Sequence, residues 1–332
     1  MPFTGQSEQR PAAIRRRHAG AAHAASPWRP RGRLLARLRR TPFLLAAELP
    51  APAGGTVGRA VHDAATLRGA GCDAVLIGPP RSVRAQVSPI GIAVLVQQRV
   101  EGLDVILGVA SWERSLIALQ ADLLGAAAFG VGAVLCLAGS PPRPDGDLTL
   151  GGIWDVNALR LVQLLRGLND GRDLHGIPLA RPTSFVIGCQ VCPGAEERAR
   201  EIGEARQAIA AGVDFLIAQP VFDLDALDQV LDAVGVPDEL PVLLGTVVLR
   251  GFAHAEELQH EVPGMAIPEP VLERLWLARE DGPCVGRQIA RELIAGARAR
   301  GRVRGVVLSA AADATASIGC VLRDRPAVAP RG

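Results

Sequence analysis

The chain contains neither lysine nor tyrosine, and all 36 of its basic residues are arginines. Without lysine there is no side-chain amine for a Schiff base. Schiff-base aldolases, pyridoxal-phosphate enzymes and phosphate loops that depend on lysine are therefore excluded. Dehydrogenases that rely on a Tyr/Lys pair are excluded as well.

Histidine is also scarce, with six in 332 residues. His62, His175, His254 and His260 are those beyond the first 40 residues, and none of them ends an apolar run that resembles a strand. This placement argues against a histidine general base and against a multi-histidine metal site. We therefore predict no metal centre.

Long apolar runs are missing too. No stretch reaches the ~18 uncharged apolar residues of a transmembrane helix, so we predict no membrane association. No apolar signal-peptide region is seen, so we expect a cytoplasmic protein. With 48% hydrophobic and 21% charged residues, the composition indicates a globular chain with ample core.

Charge is distributed unevenly although the net charge is only +2. Residues 1–40 contain ten arginines and one acidic residue, Glu8. We predict an Arg-rich, disordered or loosely packed extension over residues 1–42, followed by one domain over residues 43–325. Because only Trp28 accompanies these arginines near their densest part, no specific nucleic-acid partner is expected.

Six cysteines are expected to be free thiols in a chain of this size without an export signal. Cys189 and Cys192 form a CxxC motif, which is compatible with a redox pair or with half of a metal site. Two further ligands at matching spacing would be needed for a structural zinc, and none lies nearby in the sequence.

Eight short apolar runs alternate with amphipathic, helix-like stretches. Eight strand–helix units in about 280 residues predict a single (β/α)8 TIM barrel of the α/β class. A doubly wound open sheet is the alternative, but no GxGxxG opens a first helix. The predicted strands cover residues 43–49, 73–77, 104–110, 132–139, 183–188, 213–219, 240–248 and 302–309.

Chemistry in such a barrel is located at the carboxyl ends of the strands. Glu48 ends the first strand, where partial removal from water favours a protonated carboxyl that can donate a proton. A structural carboxylate paired with an arginine is the alternative. Gln219 ends the sixth strand and can both donate and accept hydrogen bonds. Asp223 is predicted to cap the next helix.

Several segments taken together resemble the methylenetetrahydrofolate reductase family. They are AELPAP, LIALQADLLGAAAFGVGAVLCLAGSPP, WDVNALRLV, AGVDFLIAQPVFDLDAL and ELQHEVPGMAIPEPVLERL, and they occur in family order. The resemblance covers roughly residues 43–325 and agrees with the predicted barrel.

The resemblance implies a flavoprotein that binds FAD across the top of the barrel and takes hydride from NADH or NADPH. Its substrate would be 5,10-methylenetetrahydrofolate, reduced to 5-methyltetrahydrofolate in one-carbon metabolism. By resemblance, Glu48 is the catalytic acid, and Gln219 and Phe222 bind substrate. A homo-oligomer or a partner subunit is possible.

The resemblance also implies a set of cofactor-binding residues: Ser111, Arg114, Gly139, Ser140, Trp154 and Asp155. Two segments depart from the family pattern, because AGSPP has Ser140 where the family has aspartate and SWERS keeps only Arg114. Two alternatives therefore stay open. One is a non-catalytic or flavin-free paralogue that binds folate or a partner, and the other is a related barrel enzyme with a different substrate.

Overall fold

The computed structural model describes residues 33–52, 57–79, 86–110, 114–137, 157–310 and 315–323. Eight parallel strands form a closed barrel in the order β1 to β8, as the sequence predicts. Neighbouring strands pair in simple register; Ala46 of β1 pairs with Ala74 of β2, and Leu44 of β1 pairs with Gly305 of β8. The strands are β1 Leu44–Glu48, β2 Ala74–Ile77, β3 Asp104–Ala110, β4 Ala133–Leu137, β5 Val186–Val191, β6 Phe215–Ala218, β7 Val242–Val247 and β8 Gly305–Ser309.

Helices surround the barrel, and three of them form an excursion between β7 and β8. The excursion consists of α8, α9 and α10, with one 3-10 turn at Arg279–Asp281 between the last two. The helices are α1 Arg33–Arg40, α2 Gly58–Gly69, α3 Pro89–Arg99, α4 Leu116–Ala128, α5 Ala158–Asn169, α6 Arg198–Ala210, α7 Leu224–Val234, α8 Phe252–Glu261, α9 Glu269–Ala278, α10 Gly282–Arg300 and α11 Thr315–Arg323.

Strand side chains alternate between two apolar clusters, as the period of a β-strand requires. In β1, Leu45 and Ala47 belong to the cluster between barrel and helices, whereas Leu44 and Ala46 belong to the cluster inside the barrel. The inner cluster includes Phe215, which is fully buried. The barrel is therefore a packed core, and only the layer at the carboxyl ends of the strands is left for chemistry.

Helix α1 closes the opposite, amino-terminal end of the barrel. Leu34 and Leu38 belong to the inner cluster, with 4% and 1% of their surface exposed. Arg37 forms ion pairs with Asp73 and with Asp104, and Asp104 is the first residue of β3. Residues 33–40, which the predicted boundary at residue 43 placed in the Arg-rich extension, therefore pack on the barrel through an apolar pair spaced i, i+4.

Strand β5 begins three residues later than the predicted range of 183–188. Asn169 at the end of α5 explains the shift, because its side chain holds the backbone before the strand. Its Oδ1 accepts hydrogen bonds from the Thr183 hydroxyl and the Phe185 amide, each 2.8 Å long, and its Nδ2 donates to the Phe185 carbonyl. Residues 183–185 are therefore bound to α5 and do not enter the sheet.

Candidate active site

Glu48 lies on the inner wall of the barrel at the carboxyl end of β1. It continues the inward-facing series of Leu44 and Ala46, and its side chain is half-buried. A β-carbon added to Gly78 would lie 3.7 Å from Glu48 Oε1, so the carboxyl group extends toward the end of β2. The sequence prediction that Glu48 ends a strand at this face is confirmed.

Gln219 continues the inward-facing series of β6 in the same way. Phe215 and Ile217 belong to the inner cluster, and Gln219 follows at the next alternate position. Its backbone amide donates a 2.7 Å hydrogen bond to the Val191 carbonyl, which prolongs the sheet pairing beyond the last strand residue. The half-buried amide side chain is thus held on the same inner wall as Glu48.

Gln190 joins these residues, although the sequence analysis did not select it as a site residue. Val186 belongs to the inner cluster, and a β-carbon on Gly188 would lie 2.3 Å from the Phe215 ring, so both face inward. Gln190 is the next alternate residue. The predicted fifth strand ended at residue 188, so the sequence placed Gln190 just after the strand and did not show that its side chain faces inward.

Residues with small side chains form the inner wall of the barrel beside Glu48. Gly78, Gly108 and Ala110 occupy the inward-facing positions at the ends of β2 and β3. A β-carbon on Gly108 would lie 3.0 Å from the Gly78 α-carbon, so the two strands approach each other closely there. This part of the wall presents backbone and one methyl group, which leaves room for a flat ring beside the carboxyl group.

Phe222 lies near the carboxyl end of β7, in one apolar cluster with Val247 at an inward-facing position. It is buried with 8% of its surface exposed, in an apolar cluster with Val247, Leu275 and Ile289 beneath the excursion helices. Its substrate-binding role stays a prediction. Asp223 caps α7 as predicted, because its Oδ1 accepts hydrogen bonds from the amides of residues 225 and 226 at 2.8 and 3.3 Å.

Arg114 lies on the helix side of β3. Its guanidinium forms an ion pair with Asp122 of α4, and both residues line a small cavity of about 30 Å³ together with Pro89 of α3. The cation is therefore engaged by a carboxylate between the barrel and its helices. Its role in cofactor binding stays a prediction.

The other predicted cofactor-binding residues lie outside the described residues: Ser111, Gly139, Ser140, Trp154 and Asp155. The described chain resumes at Asn157, which caps α5 by accepting a 2.9 Å hydrogen bond from the Arg160 amide.

The cysteines give no reactive pair. Cys189 and Cys192 are both free thiols. Burial raises the pKa of each to about 11, so both are protonated thiols at neutral pH and poor nucleophiles. Cys189 belongs to the outer cluster, beside Cys136 of β4. Within the described ranges, no group of three or more His, Cys, Asp or Glu side chains could hold a metal ion.

None of the helices that the structure describes is long and apolar enough to cross a membrane. The described geometry is that of a (β/α)8 barrel whose carboxyl-end mouth carries one acidic and two amide side chains on its inner wall. Acidic and amide side chains at the carboxyl ends of barrel strands can form hydrogen bonds to a polar organic ligand.

The chain belongs to the methylenetetrahydrofolate reductase family. The family model named Methylenetetrahydrofolate reductase matches residues 43–316, which confirms the resemblance stated from the sequence. No curated protein matches the chain.

Solved structures share the barrel at low sequence identity. An uncharacterised protein from Clostridium thermocellum, which binds two copies of 5-methyl-5,6,7,8-tetrahydrofolic acid, is 12% identical, with a TM-score of 0.58 over 88% of this chain and 98% of its own. EDTA monooxygenase from Chelativorans sp. BNC1 is 11% identical, with a TM-score of 0.52 over 85% and 94%. Oxaloacetate acetylhydrolase is 12% identical, with a TM-score of 0.50 over 83% and 79%. At these identities the likeness shows the fold alone.

Proposed function

We propose that this protein reduces 5,10-methylenetetrahydrofolate to 5-methyltetrahydrofolate with NADH or NADPH in a flavin-dependent reaction. The observation that carries the proposal is the position of Glu48 on the inner wall at the barrel mouth, beside a wall of small residues. Family membership supports the substrate class. The similar barrel from Clostridium thermocellum, which binds 5-methyltetrahydrofolate, is consistent with a folate ligand.

The described residues fit the ring system of a flavin. Gly78, Gly108 and Ala110 leave a flat surface that larger side chains would block. Gln190 supplies an amide that can donate to and accept from the polar edge of a heterocycle. When bound, a flavin supplies a carrier that accepts hydride from the nicotinamide and passes it to the folate. Ser111, Gly139, Ser140, Trp154 and Asp155 stay predicted contacts of the same group.

Glu48 acts as the general acid in this proposal. Opening of the five-membered ring of the folate to the reactive iminium requires a proton on the departing nitrogen. A carboxyl group is suited to this transfer when it lies within hydrogen-bond reach of that nitrogen. Glu48 is the acidic residue that ends an inward-facing series in β1, so the fold directs its carboxyl group toward the mouth.

Gln219 orients the substrate. Its amide group can donate one hydrogen bond and accept another, which matches a pterin edge that presents neighbouring donors and acceptors. Because its backbone is held by the Val191 carbonyl, the side chain starts from a fixed point on the wall. A fixed amide lowers the entropic cost of orienting the ligand.

The direct test is the visible spectrum of the purified protein, followed by an assay of NADH or NADPH oxidation with methylenetetrahydrofolate. We expect a bound-flavin absorption band, present on purification or after addition of FAD, and turnover that depends on folate. Glu48→Gln is expected to reduce turnover by about 10²–10⁴-fold, the usual contribution of a general acid. Glu239→Gln, an exposed carboxylate before β7, is the matched control. A colourless protein that takes up no FAD would contradict the proposal.

A second candidate is a folate-binding protein without reductase activity. The pairing of Arg114 with Asp122 favours it, because this arginine is the residue retained from the polar segment after β3 and its charge is engaged on the helix side. This candidate predicts folate binding without flavin uptake. Turnover that is lost in Glu48→Gln would eliminate it.

A further inference from the structure

A second cavity lies outside the inner wall of the barrel. It is lined by residues that directly follow β7 and by residues of the excursion helices α8 and α9. Its volume is about 620 Å³, within the range of small-molecule sites. None of the polar and aromatic side chains that line it belongs to the inward-facing series of the barrel; they are Arg250, Phe252, His254, Glu257, Trp276 and Arg279. The proposed reaction therefore leaves this cavity without a role.

Two unpaired arginines give the cavity a positive character. Within the described ranges, neither Arg250 nor Arg279 has a carboxylate within 4.0 Å, and both are exposed. By contrast, Arg274 on α9 is held by Glu292 in a two-bond ion pair with distances of 2.7 and 3.1 Å. Glu257 is the single acidic residue in the lining. Two free guanidinium groups at one cavity favour an anionic ligand.

His254 adds a hydrogen-bond donor of defined tautomer. The Arg250 amide donates a 3.2 Å hydrogen bond to His254 Nδ1, so the neutral ring carries its proton on Nε2. Burial and the nearby Arg250 charge lower the pKa of His254 below its usual 6.5. At neutral pH the ring is therefore uncharged and offers one N–H from Nε2.

Arg279 has an unusual backbone conformation. Among the described residues it is the one non-glycine residue with a positive φ, at φ 47° and ψ −114°. A side chain with a β-carbon is disfavoured in this region, where glycine is favoured. Strain of this kind is concentrated at functional sites. The strained backbone therefore makes Arg279 a stronger candidate for a ligand contact than an arginine on a regular helix.

Trp276 supplies an aromatic face. It is 62% exposed, although large aromatic residues are usually covered. The Phe252 ring contacts it edge to face, with centroids 5.1 Å apart and planes at 74°, which fixes the orientation of the indole. An oriented and exposed indole is a stacking surface for a planar ring.

We propose that this cavity binds a nucleoside monophosphate, that is, a planar heterocycle that carries a phosphate group. Arg250, Arg279 and His254 Nε2 bind the phosphate oxygens, and the base stacks on Trp276. Glu257 accepts a hydrogen bond from a sugar hydroxyl or a base amine. Three donors that line one cavity match the three terminal oxygens of a phosphate better than the two oxygens of a carboxylate.

The test is calorimetric titration of the full-length protein with AMP, adenosine, inorganic phosphate and p-aminobenzoylglutamate. We expect saturable binding of AMP, with adenosine at least about tenfold weaker because the charged hydrogen bonds are lost. Inorganic phosphate alone is expected to bind weakly because it lacks the stacking contact. Excess 5-methyltetrahydrofolate is expected to leave AMP bound, since the two sites are separate.

Three variants identify the residues involved. Arg279→Gly introduces a residue that tolerates positive φ, so the variant is expected to fold. Its AMP binding is expected to weaken about tenfold or more. Trp276→Leu is expected to weaken AMP but leave inorganic phosphate unchanged. Arg99→Ala, which removes an exposed arginine at the end of α3, is the control and should bind AMP like the wild type.

Four results would overturn the proposal. One is the absence of saturable AMP binding, and another is AMP affinity that is unchanged in Arg279→Gly. The third is p-aminobenzoylglutamate binding as tightly as AMP, which would assign the cavity to a carboxylate. Displacement of AMP by 5-methyltetrahydrofolate would place the nucleotide in the barrel mouth and would also contradict it.

Discussion

The substitution Leu38→Ala tests whether helix α1 is part of the barrel. Leu38 is 1% exposed and belongs to the inner cluster, where it packs with residues of the strands at the amino-terminal end. The leucine spacing that buries Leu34 and Leu38 on one helix face is what distinguishes α1 from a solvated Arg-rich tail.

The expected loss follows from the atoms removed. Leucine to alanine deletes three buried carbon atoms, each contributing about 0.8 kcal/mol of transfer free energy. The cavity left behind adds to this loss, and the total for a well-packed leucine is about 2–4 kcal/mol. A helix that moves to fill the space would bring the loss toward the lower value.

Urea unfolding followed by far-ultraviolet circular dichroism measures this change in the free energy of unfolding. Arg39→Ala, an exposed position on the same helix, is the control and is expected to change it by less than about 0.5 kcal/mol. Equal values for Leu38→Ala and Arg39→Ala would refute the docking of α1 on the barrel.

Three further predictions concern ion pairing, packing and protonation. Asp104→Asn should lower the free energy of unfolding by about 1–3 kcal/mol, because the buried carboxylate holds two arginines of α1. Asp63→Asn, in an i, i+4 helical pair with the exposed Arg59, should cost less than about 0.5 kcal/mol. Gly188→Ala should cost about 1–3 kcal/mol or more, because the added β-carbon would lie 2.3 Å from the Phe215 ring. His254, whose pKa is lowered in the folded state, should make the free energy of unfolding fall as pH drops through 6.5, and His254→Gln should flatten this dependence.

Each of these predictions has a contrary outcome. Equal losses for Asp104→Asn and Asp63→Asn would mean that the α1 ion pairs are solvated. A thermal midpoint of Gly188→Ala that matches the wild type would mean that the inner cluster is loosely packed. A pH dependence that is the same with and without His254 would mean that its folded-state pKa is not lowered.

The fold could be predicted from the sequence because each strand is a short apolar run followed by a helical stretch. The period of these runs requires nothing beyond local sequence. Two features depended on contacts distant in the chain and were missed. Arg37 of α1 reaches Asp73, 36 residues away, and Asn169 binds the backbone of residues 183–185. No local sequence pattern predicts such contacts.

The candidate site was predicted in part. Glu48 and Gln219 were found because each directly ends an apolar run, which a barrel places at its functional face. Gln190 was missed because its inward direction depends on the register of β5, and a shift in strand position changes which side chains face inward. The cavity at Trp276 and Arg279 combines residues of two excursion helices and a turn, so it exists only after those helices pack.

The central claim is that Glu48 donates a proton to the folate at the barrel mouth. Stopped-flow measurement separates two rates: reduction of the flavin-loaded protein by NADH, and oxidation of the reduced protein by methylenetetrahydrofolate. We predict that Glu48→Gln slows the second rate by about 10²–10⁴-fold and leaves the first within about threefold of the wild type. If both rates change equally, or if the second rate is unchanged, Glu48 is not the proton donor.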